Sequence, residues 1–396
     1  MKDIINSDIF SDTKVAFENR SDEELKRIYS LFKKMSNVSL SSIGKSMLKA
    51  SIFLKLPVHK FAEKYLFFHF CGGINLEDSQ GIVNNLYKYN VKSVLDYSAE
   101  SKKSEIAFES IKDEIIKIID NVNENREKIP YAVYKMSGIA DVDLIRKIQK
   151  NLELTNEEKE AKEKLMKRID YISGYAYKKR VPIMVDAERL DVQGFIDEIM
   201  DEMMIKYNKE EAIIFNTIQF YRKDSMDILK KSFTRVSESN AFYGIKPVRG
   251  AYYQEEKDLA KEKGIESPIC ETREDTNKKF NEALEYCMNN IDKLSLFAAT
   301  HNEFSVKFLM ELMNTKGLNK DDKRIYFSQL YGMSEHITLN LAKLGYNVTK
   351  YIPYGPLKLV MPYLLRRADE NTAIQGQTNR EFEIIKKEMR RRKLLK

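Results

Sequence analysis

Eight short β-type runs alternating with longer amphipathic stretches constrain this chain more than any other feature of its sequence. The runs are Ser93–Asp96, Tyr131–Lys135, Pro182–Asp186, Ala212–Gln219, Gly244–Arg249, Leu294–Thr300, Arg324–Leu330 and Asn347–Ile352. Between them, Glu105–Val122 carries Ile111, Ile115, Ile118 and Ile119 at helical spacing, and Thr276–Met288, Phe304–Met313 and Ser334–Leu344 read as further helices. Strands that alternate with helices call for parallel pairing through crossover helices. Eight such units predict a (β/α)8 barrel. A doubly wound open sheet is the competing topology. The GxGxxG turn that a dinucleotide fold places after its first strand does not occur here.

Before this rhythm begins, up to about residue 90, the pattern is helical. Leu25, Ile28, Tyr29 and Phe32 share one helix face, and Ser21 with Glu24 reads as a capping box at its start. Ile52, Phe53 and Leu56 suggest a second helix. The expected organisation is an N-terminal helical segment over 1–90, a barrel over 91–380, and a basic helix or tail over 381–396.

Composition narrows the function classes. The 396 residues are 43% hydrophobic, enough for a sizeable core, and 32% charged. The most apolar short stretch, Tyr65–Phe70, falls far below the roughly 20 residues of a membrane helix. The opening MKDIINSDIF has the pattern of neither a signal nor a transit peptide, so a cytoplasmic location is expected. The formal charge of +7 is modest, and Lys/Arg are interleaved with Asp/Glu, which argues against nucleic acid. Cys71, Cys270 and Cys287 lack CxxC spacing and read as buried thiols; His59, His69 and His336 offer no metal-ligand spacing. The run Arg390–Lys393 has two readings, favourable charge at a helix C-terminus or contact with anionic lipid.

In a barrel the chemistry sits at the C-terminal strand ends. Those ends carry Lys135; Asp186, Ala187 and Glu188; Gln219; Lys246, then Arg249, Gly250, Ala251 and Tyr252; Thr300, His301 and Asn302; Gln329 and Leu330; and Tyr351. Helix caps favour Ser, Thr, Asp and Asn, so Lys, Arg, Gln and Tyr in this ring point to a binding site. Further on, PYLLRRADEN (Pro362–Asn371) places Arg366 and Arg367 one helical turn before Glu370. This is either a solvent-facing ion pair or a paired guanidinium clamp for a carboxylate.

Together VDAE (185–188), VRGAYY (248–253), ATHN (299–302), QLYGM (329–333), YIPYGP (351–356), PYLLRRADEN (362–371) and LDYSAE (95–100) resemble proline dehydrogenase, from about residue 70 onward. With no aldehyde dehydrogenase segment following, a single-function member is expected. The resemblance implies a distorted (β/α)8 TIM-type barrel with FAD across its C-terminal face. It implies oxidation of L-proline to Δ1-pyrroline-5-carboxylate, hydride passing to flavin N5 and electrons to a membrane quinone, as the first step of proline catabolism to glutamate. Arg366 and Arg367 match the family's pair for the proline carboxylate, and Glu370 their ion-pair partner. Lys135 matches a lysine near that carboxylate, although its surroundings, VYKMSG, depart from the commoner form. Asp186 matches the active-site aspartate, Tyr252 and Tyr351 the active-site tyrosines, and Leu330 an apolar wall over the substrate ring. Ala187, Gln219, Lys246, Arg249, Gly250, Ala251, Thr300 and His301 match FAD-contacting positions. Lys246 stands where several bacterial members have arginine.

These residue types suit that chemistry. The cofactor carries the oxidation and the protein supplies orientation and charge. A cationic pocket holds the carboxylate and depresses the amine pKa. Lys246 and Arg249 can stabilise negative charge on a reduced cofactor. Two other readings of the residues are a Schiff-base lyase using Lys135 and a non-catalytic binder of an anionic partner.

Overall fold

In this computed structural model the description covers residues 3–37, 66–97, 104–357, 359–361, 363–364 and 377–395. The eight strands are β1 (Lys92–Tyr97), β2 (Ala132–Lys135), β3 (Ile183–Asp186), β4 (Ile214–Gln219), β5 (Tyr243–Val248), β6 (Leu294–Ala299), β7 (Ile325–Leu330) and β8 (Val348–Tyr354). They form one sheet in the order β1-β8-β7-β6-β5-β4-β3-β2. A doubly wound sheet reverses its order at a switch point, whereas here chain neighbours from β2 to β8 remain sheet neighbours. The fold is a (β/α)8 barrel. All eight expected strands are present, each with bounds within two residues of the sequence reading.

The chain divides into two compact units, Met1–Asn6 with Ala99–Ser328 and Ser7–Ser98 with Gln329–Lys396. In the first unit β2 to β6 pair in parallel with their successors, for example Lys135 beside Asp186, Thr217 beside Lys246 and Ala299 beside Ser328. The helices that connect them announce themselves by their caps. Ser104 accepts from the Ala107 amide at the start of α3 (Glu105–Glu124), and Thr272 from Asp275 at α9 (Arg273–Asn289). Asn302 does the same for Ser305 at α10 (Glu303–Thr315). The connections are unequal. Between β2 and β3 lie both α4 (Val142–Gln149) and α5 (Asn156–Lys179), and between β5 and β6 both α8 (Tyr253–Glu262) and α9. By contrast α6 (Leu190–Tyr207) and α7 (Ser225–Glu238) each bridge one strand pair alone.

The interior of this unit is packed by rings. Tyr131 lies with its centroid 5.3 Å from Phe215, 4.9 Å from Phe297 and 5.1 Å from Tyr326. All four are buried, and the edge-to-face geometry suits aromatic quadrupoles. Burial alone pushes the Tyr326 phenol up to about 12. These rings belong to β4, β6, β7 and the residue just before β2, so the strand interior is a filled core.

In the second unit β1 pairs in parallel with β8, Val94 beside Tyr351, with α2 (Leu76–Tyr87) against β1 and α11 (Glu335–Lys343) against β8. The expected capping box is formed at α1 (Asp22–Asn37): the Ser21 amide donates to Glu24 Oε2 at 2.8 Å and the Glu24 amide to Ser21 Oγ at 3.2 Å. Phe17, Leu25, Ile28 and Phe32 pack with Ile385 and Met389 of α12 (Gln377–Arg391). Part of the basic C-terminal run is engaged internally. Arg391 Nε and Arg392 Nε each lie 2.7 Å from the buried Glu388, and Arg392 also donates to Phe17 O and Arg20 O. The expected helix around Ile52 lies outside the described residues. Among the described residues no helix is long and apolar enough to cross a membrane. Cys71, Cys270 and Cys287 are buried free thiols.

Candidate active site

In the first unit the strand ends converge on Asp186. Strands β2 and β3 run side by side with Lys135 and Asp186 as their last residues, and Lys246 rises from β5. Lys246 Nζ lies 2.5 Å from Asp186 Oδ1, and Lys135 Nζ lies 3.4 Å from Oδ2. One carboxylate therefore stands between two ammonium groups, in surroundings where Lys246 is only 5% exposed.

Two residues further on, Glu188 is also buried. Its Oε1 accepts from the Ser137 amide at 2.7 Å, tying the segment after β2 to the segment after β3. Desolvation holds its pKa above the usual carboxylate value, opposed by that hydrogen bond and by Lys135. The sequence placed Glu188 in the ring of strand ends without giving it a role. The Glu188 carbonyl accepts from Gln219 Nε2 at 3.0 Å, while the buried Gln219 Oε1 has no hydrogen-bond partner among the described residues.

A second cluster is built around Arg249. Its guanidinium donates to Thr300 Oγ1 at 2.5 Å, Asn277 Oδ1 at 2.7 Å and Ser305 Oγ at 2.8 Å, and stacks 4.3 Å over the Phe280 ring. None of these partners is a carboxylate. Burial lowers the Arg249 pKa to about 10, the signature of a cation taken from water without a counter-charge. Gly250 follows at φ +123°, where a Cβ would lie 2.6 Å from the Tyr221 ring, so only glycine fits this close turn. Ala187, Tyr252 and His301 are half-buried, Ala251 is exposed, and Tyr252 sits at the N-cap of α8. Asn277, Phe280 and Ser305 escaped sequence reading. They sit on helices far along the chain, and ordinary helix-face residues carry no motif.

In the second unit Leu330 ends β7 half-buried, and Tyr351 lies buried in β8. The Tyr331 amide donates to the Tyr351 carbonyl at 2.9 Å. Arg366, Arg367 and Glu370 lie outside the described residues.

The residues present fit a dinucleotide flavin. A buried guanidinium lacking a carboxylate suits a pyrophosphate or phosphate oxygen, and the unpartnered Gln219 Oε1 suits a ring N–H.

Residues 80–380 match the family described as proline dehydrogenase. The chain belongs to the proline dehydrogenase family. Proline dehydrogenase 1, mitochondrial, from Drosophila melanogaster is 34% identical over 304 residues, 70% of this chain and 44% of that protein. The human protein of the same description is 38% identical over 241 residues, 60% of this chain and 40% of that protein. This chain thus spans less than half the length of either relative. Carbapenem antibiotics biosynthesis protein CarD of Pectobacterium carotovorum subsp. carotovorum is 32% identical over 321 residues, 81% of this chain and 83% of that protein. Among solved structures, proline utilization A from Bdellovibrio bacteriovorus, inactivated by N-propargylglycine, superposes with a TM-score of 0.74 at 19% identity. That likeness covers 96% of this chain and 43% of the other, and it shows a shared fold.

Proposed function

We propose that this chain is an FAD-dependent L-proline dehydrogenase that forms Δ1-pyrroline-5-carboxylate and passes the electrons to a membrane quinone, as the first step of proline catabolism to glutamate. The observation that carries the reading is the Lys135–Asp186–Lys246 cluster, drawn from β2, β3 and β5, in a chain of this family.

Proline offers a carboxylate and a secondary ammonium. Lys135 is assigned to the carboxylate, with Arg366 and Arg367 and their partner Glu370 completing the grip; those three roles rest on sequence. An array of cations disfavours a protonated amine, and the lone pair must be free before the C–N bond can be oxidised. Asp186, already neutralised by two lysines, can orient the substrate without repelling its carboxylate. Tyr252, Tyr351 and Leu330 are assigned to the walls around the ring, where excluding water strengthens these charge interactions. Bound FAD would supply the two-electron acceptor, held by Ala187, Gln219, Lys246, Arg249, Gly250, Ala251, Thr300 and His301. Lys246 would then offer positive charge to offset the negative charge that reduction adds, and Arg249 would offer its own to the cofactor's phosphates. The proposed setting is cytoplasmic, with the quinone met at the membrane surface.

The test is turnover of L-proline with a dye acceptor, with the pyrroline product trapped by o-aminobenzaldehyde. No product at saturating proline would overturn the proposal. The likeness to CarD, which extends over most of both chains, favours a second reading in which the chain serves a biosynthetic route instead of proline catabolism. Growth on proline that survives deletion of the gene would select it.

A further inference from the structure

The turn that follows β7, Gln329–Ser334, is held from several directions within the second unit. Tyr331 donates its amide to Tyr351 O. Lys350 is completely buried, and its Nζ donates to Leu330 O at 3.4 Å and to Met333 O. The same ammonium lies 3.4 Å from Glu335 Oε1. Arg20, from the loop before α1, places NH2 3.7 Å from that oxygen and its guanidinium 5.7 Å from the centre of the Tyr331 ring. On another side the Ser334 amide donates 2.8 Å to Glu381 Oε1, which also accepts from Ser334 Oγ at 3.2 Å. Glu381 comes from α12 and is 6% exposed.

The backbone of this turn needs such support. Gly332 has φ +81° and Ser334 φ +53°. A Cβ at Gly332 would lie 2.5 Å from His69 O, so the close approach fixes the glycine. Ser334 has no such excuse; a left-handed non-glycine residue persists only where its surroundings over-determine it. Here the overdetermination comes from a carboxylate on the Ser334 amide and from a buried ion cluster behind Tyr331. Removing Arg20 takes from the buried Glu335 one of the two cations beside its Oε1, which favours rearrangement of the turn they hold.

We propose that Arg20 and Glu381 are positioning residues for substrate binding. They fix the turn that carries Leu330, and they set the affinity for the substrate ring without touching it. The loop before α1 and the helix α12 thereby belong to the binding machinery. The role of Leu330 rests on the proline dehydrogenase reading above.

The experiment uses the full chain with Arg20→Met, Arg20→Lys, Glu381→Met and Glu381→Gln. Arg20→Met is expected to raise KM for L-proline about ten-fold with kcat nearly unchanged, a coupling of ordinary size between two parts of one protein. Arg20→Lys restores the charge beside Glu335 and is expected to restore KM, which a general loss of stability would not do. Hydrogen–deuterium exchange of a peptide spanning 329–334 is expected to quicken in Arg20→Met relative to wild type. An unchanged KM in folded Arg20→Met overturns the proposal. If Arg20→Met does not fold, Glu381→Met, which removes the acceptor of both Ser334 hydrogen bonds, carries the test: a raised KM supports the proposal and an unchanged KM overturns it, while Glu381→Gln, which keeps an acceptor oxygen, is expected to stay near the wild-type KM. A wild-type protein that does not oxidise proline would overturn the functional reading instead. The exchange measurement then decides the positioning role alone, with equal exchange in wild type and variant overturning it.

Discussion

Lys246 and Asp186 face each other at 2.5 Å from strands that are not neighbours in the sheet, β5 and β3, with β4 between them. Such a contact requires both side chains to turn into the strand interior at the same height. It joins the aspartate assigned to the substrate with the lysine assigned to the cofactor. Removing the ammonium takes the 2.5 Å counter-charge from Asp186. Lys246→Met is therefore expected to lower kcat/KM for proline by about 10²–10³-fold, the scale of losing one preorganised charge in a closed site. Steady-state kinetics check this, and a change below about three-fold would remove Lys246 from the mechanism.

Arg249 makes three directional hydrogen bonds and one ring stack without meeting a carboxylate. Its charge is available to a cofactor anion. Arg249→Lys keeps the charge but loses the planar fork that reaches Asn277, Thr300 and Ser305 together. The variant is expected to bind FAD about 10²-fold more weakly, in the range for breaking a buried charge-assisted contact. Flavin fluorescence titration of apoprotein measures it, and wild-type affinity would contradict the assignment.

Asp201 gives a stability prediction independent of function. It is 5% exposed, its Oδ1 has no hydrogen-bond partner among the described residues, and Arg235 NH1 stands 4.0 Å from its other oxygen. Desolvation raises its pKa to about 6. The unfolded chain ionises this group near pH 4 and the folded protein near 6, so folding loses stability as pH rises through that window. Asp201→Asn is expected to be more stable than wild type by about 1–3 kcal/mol at pH 8, with the gain vanishing near pH 4. Urea unfolding at both pH values reads this directly. A gain of equal size at pH 4 would place its origin elsewhere.

Arg366 is assigned to the substrate carboxylate. Arg366→Ala is expected to cost about 2–5 kcal/mol in proline binding, as for other truncated charge pairs. An unchanged KM for proline would sink the clamp.

The strands were legible because each is a short apolar run set among helical stretches, and six of the eight, as read from sequence, end on a polar residue. Lys135, Asp186 and Lys246 were legible as strand-end residues, and the structure brings these three together. What was hidden depends on contacts that no local pattern encodes. Asn277 and Phe280 look like ordinary residues of an amphipathic helix, yet they hold Arg249. Arg20 looks like a surface arginine beside a capping box, yet it meets Glu335 more than three hundred residues away. Glu381 reads as one more charge in a charged helix, yet it caps a strained serine. Long-range burial, not residue type, makes each of these informative.

Proline is expected to reduce a flavin held by this chain, and an anaerobic absorbance spectrum of the purified protein reads that reaction. Flavin bands in the visible are expected, and they are expected to bleach when L-proline is added. A colourless protein that takes up no FAD, or flavin bands that saturating L-proline leaves unchanged, would contradict that expectation.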